Sequence, residues 1–190
     1  MSSPARLPAP FWMLLRRFGR NRSASAAIQF AFIAPLFFGL LFSIIETALM
    51  FFAGQVLETM TQDAARMVLT GQAQNASYAS WSVFRDNVVC ATPPVLFTCS
   101  NIYVDVQNYN SSFQSISIAS QIDATKNFVN NMKYCPGNAG DIVVVRLFYQ
   151  WPTFVTGLGF NLANLSGNKI LLSATAAFKN EPFTATSSAC

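Results

Sequence analysis

Side chains able to do chemistry are scarce in this sequence, and those present point away from catalysis. There is no histidine, which removes the usual general base, the Ser-His-Asp and Cys-His nucleophile systems, and the commonest transition-metal ligand. Asp105, Asp123 and Asp141 are too widely spread for a local calcium loop of the EF-hand kind. No two of the few carboxylates stand out as a glycosidase-like pair. Gly157-Leu158-Gly159 lacks a third glycine and a phosphate-binding context, so it reads as a turn. The expectation is a protein that is no enzyme and has no metal and no cofactor.

Cys90, Cys99, Cys135 and Cys190 are the one reactive set. An even count of cysteines lying beyond a membrane segment fits disulfides better than a cytosolic use, and oxidised cysteines serve neither as nucleophiles nor as zinc thiolates. Sequence leaves three pairings open. The preferred one joins Cys90 to Cys99 across a loop stiffened by Pro93 and Pro94, which leaves Cys135 for Cys190.

The elements that must position these residues begin with a long apolar run. From Ser23 to Ile45 no residue is charged. As a helix at about 1.5 Å per residue this run reaches roughly 35 Å, enough to cross a hydrocarbon core of about 30 Å. A cleavable signal would have an apolar core of only about 7–15 residues. The net charge of +4 comes from Arg6, Arg16, Arg17, Arg20 and Arg22, all before the run, and the remainder is close to neutral. That placement argues for a cytoplasmic N-terminus and against nucleic-acid binding. Pro35 sits mid-span, a defect that membrane helices tolerate. Glu46 falls where a helix begun near Ala26 leaves the hydrocarbon; it reads as a carboxylate reaching the outer interface, with pairing to a partner helix as the alternative.

Helical periodicity continues past the span. Val56, Leu57, Met60, Ala64, Met67 and Val68 recur at helix spacing, with Thr59, Gln62, Asp63 and Arg66 between them, so the helix extends to about Thr70 and Gly71 stops it. A short helix is predicted around Ala79 to Val89. Ile102, Val104 and Val106 alternate with Tyr103, Asp105 and Gln107 as a half-buried strand. Asp141 to Trp151 is dense in β-branched and aromatic residues and reads as a central strand ended by Pro152. Ile170, Leu172, Ala174, Ala176 and Phe178 share one face of a last strand. Phe113 to Ile118 is a weaker strand candidate, with loop over Ser111 to Ser117 as the equal alternative, and Gln121 to Met132 a short helix. Trp81, Tyr109, Phe113, Trp151 and Phe154 read as core in preference to a ligand pocket. The fold class is α+β, with a small antiparallel sheet. The organisation is a basic cytoplasmic tail over 1–22, a transmembrane helix over 23–52, a helix extension over 53–71, and an extracytoplasmic α+β domain over 72–190.

The segment SAAIQFAFIAPLFFGLLFSIIE resembles the N-terminal signature of the TadE-like family, with Ala27, Phe30, Ala31, Pro35 and Glu46 at the signature positions. RLFYQWP and LLSATAAFKNEPF look like the same family. The resemblance implies a pilin-like minor component or pseudopilin-type assembly factor of the tight-adherence system, a bacterial inner-membrane apparatus whose thin pili serve surface attachment and biofilm formation. It also implies a single-pass inner-membrane protein with its C-terminal domain in the periplasm, and membrane lipid, other pilin-like subunits, the assembly machinery and prepilin peptidase as partners. Cleavage would fall between Ala24 and Ser25, where glycine commonly precedes the cut. The glutamate usual at the fifth mature position is replaced by Gln29, whose neutral amide hydrogen-bonds but cannot form the expected ion pair. Gln29, Phe30, Pro35 and Glu46 are then the helix-packing signature. The rival reading is a membrane-anchored ligand-binding or sensory domain.

Overall fold

A computed structural model describes residues 25–92, 96–109, 112–154 and 161–184. The arginine-rich tail, Ala24, Pro93, Pro94, the turn at Gly157 and Cys190 lie outside them. Two compact units meet in the chain between Ile44 and Ile45.

The first element, α1, is a helix over Ser25–Leu69. Its first part belongs to the first unit and is exposed along its apolar length, with Phe32 80% and Leu36 70% exposed. This helix is long and apolar enough to cross a membrane, and none of its most apolar window is buried. From Ala53 onward the pattern changes: Ala53, Leu57, Ala64 and Val68 are buried while Gln62, Asp63 and Arg66 are exposed. The helix ends as expected. Gly71 adopts φ +77°, a left-handed conformation that costs a residue without Cβ nothing, and its N–H bonds the carbonyl of Val68.

In the second unit, Gln72–Asn75 forms a single turn, α2, and Trp81–Phe84 another, α3, which widens into a π-turn over Arg85–Val89. The Ser80 side chain caps α3 by accepting the N–H of Val83. Three antiparallel strands follow, β1 over Ile102–Asn108, β2 over Ile142–Pro152 and β3 over Lys169–Lys179, in the order β1-β2-β3. The β-branched run therefore takes the centre of the sheet, where both faces are covered.

One face carries Ile102, Val104 and Val106 of β1, Val143, Val145, Leu147 and Tyr149 of β2, and Leu172, Ala174, Ala176 and Phe178 of β3. These residues share one core with Ala53, Leu57, Ala64 and Val68 of α1 and with Phe84. Phe97 joins it, its ring 4.7 Å from that of Tyr149. The single-face alternation predicted for β3 is present, cross-strand from β2 at Val143↔Phe178, Val145↔Ala176 and Leu147↔Ala174.

The opposite face differs from expectation. β1 is not half-buried, because the chain between β1 and β2 returns over that side. Lys133 N–H donates to the Asp105 carboxylate, Arg146 donates to the Ala119 carbonyl, and Phe128 packs between Tyr103 and Phe148 at ring distances of 4.6 and 6.2 Å. No helix forms over Gln121 to Met132. Instead the Asp123 carboxylate accepts the backbone N–H of Thr125 and of Asn127, each at 2.8 Å, and holds a turn with Lys126 at φ +61°. A short polar side chain offering such local bonds competes directly with helix formation. The weaker strand candidate around Phe113 is a 3-10 turn over Phe113–Ser115.

Candidate functional site

The residues singled out at the N-terminal end all lie on α1, a run of Ala, Leu, Ile and Phe in which only Pro35 breaks the backbone ladder. Eleven residues are close to three turns at about 3.6 residues per turn, so Pro35 and Glu46 share a face; Gln29 and Phe30, six and five residues before Pro35, fall on other faces. Gly39 and Ser43 lie between Pro35 and Glu46 on the shared face, and the Ser43 hydroxyl bonds the Gly39 carbonyl at 2.8 Å. Gly39 and Ser43 are small, the kind of residue that lets helix backbones approach in lipid, and Phe42 flanks the same face.

Glu46 has a partner that no local pattern announced. Its Oε1 accepts the backbone N–H of Phe154 at 2.6 Å, a charge-assisted bond to the residue that leaves the sheet after β2.

Cys90 and Cys99 form a disulfide with their Cα atoms 6.2 Å apart, inside the span such bridges allow. It ties the end of the π-turn to the start of β1. Arg85 reinforces the same junction: its guanidinium bonds the Ser100 carbonyl at 3.3 Å and stacks 5.5 Å from the Trp81 ring centre. Its hydrogen bond to Asp86 holds that carboxyl below the usual carboxylate range. Cys135 sits beside β1, its N–H bonded to the Val106 carbonyl at 2.7 Å. The pairing expected for it involves Cys190, outside the described residues.

A groove along β1 is lined by Gln107, Asn108, Lys133, Tyr134 and Cys135. Burial, followed by the neighbouring Tyr78, pushes the Tyr134 phenol up from its usual value. None of the aromatic residues considered for a pocket lines this groove. Trp81 and Trp151 are half-buried and pack against the core, Tyr109 is half-buried outside that cluster, and Phe113 and Phe154 are exposed and not core. Among the described residues, no three His, Cys, Asp or Glu side chains gather as a metal-binding group.

A second polar cluster went unread in the sequence. Gln74 donates to the carbonyls of Pro136 and Gly137, and Asn180 to those of Pro136 and Asn138, so the turn after Cys135 is held between α2 and the end of β3. Glu181 N–H bonds the Leu69 carbonyl at the end of α1. Backbone groups of a buried turn require such partners, but nothing in the local sequence of Gln74 or Asn180 names theirs.

Residues 24–66 match the model of a family described as TadE-like protein. The match lies along α1 and covers less than a quarter of the 190 residues. It bears out the resemblance at the signature Ala27, Phe30, Ala31, Pro35 and Glu46; the β2 and β3 segments that look similar fall outside it. No curated protein and no solved structure matches the chain.

Proposed function

We propose that this chain is a membrane-anchored, pilin-like component of a tight-adherence type pilus, either a minor subunit or an assembly factor, acting in surface attachment. The observation that carries the proposal is the make-up of α1. Its first half matches the family and presents exposed apolar side chains all round; its second half turns amphipathic and packs on an antiparallel sheet. A helix exposed and apolar on every side belongs in lipid or among other such helices. Residues 23–52 are then the span, 53–71 the extension and 72–190 the outer domain. The arginines before the span support a cytoplasmic N-terminus, and with it a periplasmic side for the disulfide-bearing domain.

In this role the chain is structural and its partners are membrane lipid, other pilin-like subunits and the assembly machinery. The stripe of Pro35, Gly39, Ser43 and Glu46 is the face offered to a neighbouring helix. Prepilin peptidase is a partner if the chain is cut between Ala24 and Ser25. Gln29 is compatible with an uncut chain as well, since a neutral amide costs less in lipid than a carboxylate.

The test is deletion of the gene in its own host, restoration on a plasmid, and a count of surface pili by electron microscopy alongside attachment to glass. Loss and recovery of pili support the assembly role, and the mass of the N-terminal fragment then decides cleavage. Unchanged pili and attachment would turn the reading toward an anchored binding domain.

A further inference from the structure

Glu46 lies twenty residues after Ala26 along α1, about 30 Å of helix at about 1.5 Å per residue, the thickness of a hydrocarbon core. Its carboxylate therefore marks the outer boundary of the bilayer if the helix spans, and the inference below rests on that reading. The bond from Phe154 N–H brings the start of the β2–β3 connection to the same level. The Phe154 side chain is 79% exposed, and on α1 just beyond Glu46 the side chains of Leu49, Phe51 and Phe52 are also largely exposed. No residue between Arg146 and Lys169 is charged, so this connection carries no charge that would have to leave water.

We infer that the start of the β2–β3 connection docks on lipid at Phe154, whose side chain inserts at the outer headgroup and acyl boundary with Glu46 setting its depth. An apolar side chain this exposed gains by leaving water, whereas a backbone N–H entering the same boundary loses its water partner. The Glu46 carboxylate supplies the missing acceptor. Phe154 N–H in turn gives the carboxylate a charge-assisted donor at the depth where charge becomes costly.

The experiment uses the full chain in vesicles of phosphatidylethanolamine and phosphatidylglycerol, with the photo-reactive p-benzoylphenylalanine replacing one phenylalanine at a time. Phe32 reports the span, Phe154 the proposed contact, and Phe113 an exposed site that follows the opposite end of β1. Illumination is expected to add one phospholipid mass at positions 32 and 154 and none at 113. A lipid adduct at 32 with none at 154, equal adducts at 154 and 113, or an adduct of two protein chains at 154 would each overturn the lipid contact while leaving the span intact. Loss of the adduct at 32 as well would overturn the spanning reading itself, and the contact with it. In Glu46→Ala the adduct at 154 is expected to fall while that at 32 persists; an unchanged yield at 154 would remove Glu46 from the proposal.

Discussion

Asp105 and Arg146 stand directly opposite each other on β1 and β2, their charged atoms 2.6 Å apart and their side chains 1% and 5% exposed. The pair faces away from the main core, under the returning chain, where Asp105 also accepts Lys133 N–H at 2.9 Å and Gln107 Nε2 at 2.7 Å. Burying two charges is repaid only when the remaining hydrogen-bonding capacity is filled, and here it is filled from both sides. Removing one partner leaves the other charge uncompensated. Asp105→Asn is expected to lower stability by about 3–5 kcal/mol, read as a shift in the chemical unfolding midpoint in detergent. A loss below about 1 kcal/mol, the range of solvent-screened pairs, would mean that water reaches the site.

How far the fold was legible depends on how local its causes are. The end of α1 at Gly71, the central place of β2 and the inward face of β3 follow from periodicity and residue type over neighbouring positions, and the Cys90–Cys99 bridge from a short closed loop. Asp105 read as the outward position of a half-buried strand because its burial is caused by Arg146, 41 residues on, and by a segment with no regular structure. The Glu46 to Phe154 bond joins positions 108 residues apart. Gln121 to Met132 has helix-compatible composition, and one aspartate making three local bonds outweighs it. At the candidate site, the family resemblance of the α1 segment was legible in the sequence, and the match over residues 24–66 agrees with it. What Glu46 touches was not legible.

Gly71 is fixed twice over. Its positive φ excludes side chains at a cost of about 1–2 kcal/mol, and a Cβ built there would meet the Phe183 ring at 2.6 Å and the Phe183 Cβ at 3.0 Å. Overpacking adds about 1–3 kcal/mol. Gly71→Ala should therefore destabilise by about 2–5 kcal/mol in the same unfolding measurement, and Gly71→Ala with Phe183→Ala should recover the packing part and keep the backbone part. Full recovery in the double variant would show that conformation contributes nothing.

The Tyr134 hydroxyl is buried with no hydrogen-bond partner among the described residues, while its ring packs 5.2 Å from that of Phe84. An unsatisfied buried hydroxyl is a cost of about 1–3 kcal/mol, and the ring a gain. Tyr134→Phe is expected to leave stability unchanged or raise it by up to about 1 kcal/mol, and Tyr134→Ala to lower it by about 3–5 kcal/mol. A large loss in Tyr134→Phe, read from thermal melting, would show that the hydroxyl is bonded in solution.

The turn at Asp123 should respond to acid in a defined direction. Backbone bonds from Asn127, then the Thr125 hydroxyl, lower the Asp123 carboxyl below its ordinary value of 3.8. A carboxyl lowered by folding stabilises the turn above the unfolded value, and that contribution is lost as pH falls through the lower folded value. The Asn127 and Thr125 amide signals should accordingly shift together on acidification with a midpoint below 3.8. A midpoint at or above that value would contradict the bonding, and Asp123→Ala should abolish the transition.

Cysteine labelling separates what is seen from what is proposed. Cys90 and Cys99 are bridged, and Cys135 is expected to pair with Cys190. Alkylation under denaturing, non-reducing conditions should then label no thiol in the intact protein. Cys90→Ser should expose one thiol, mapping by mass to Cys99, and Cys135→Ser one mapping to Cys190. Two labelled thiols in the intact protein, at 135 and 190, would remove the second bridge and leave the first. Because the Cys90 to Cys99 loop is short, the entropy it removes from the unfolded chain is at the low end of the usual range. Cys90→Ser with Cys99→Ser should cost about 2–3 kcal/mol, with the damage concentrated where the π-turn meets β1, read as faster amide exchange at Ile102 and Val104 than at Val143 and Val145.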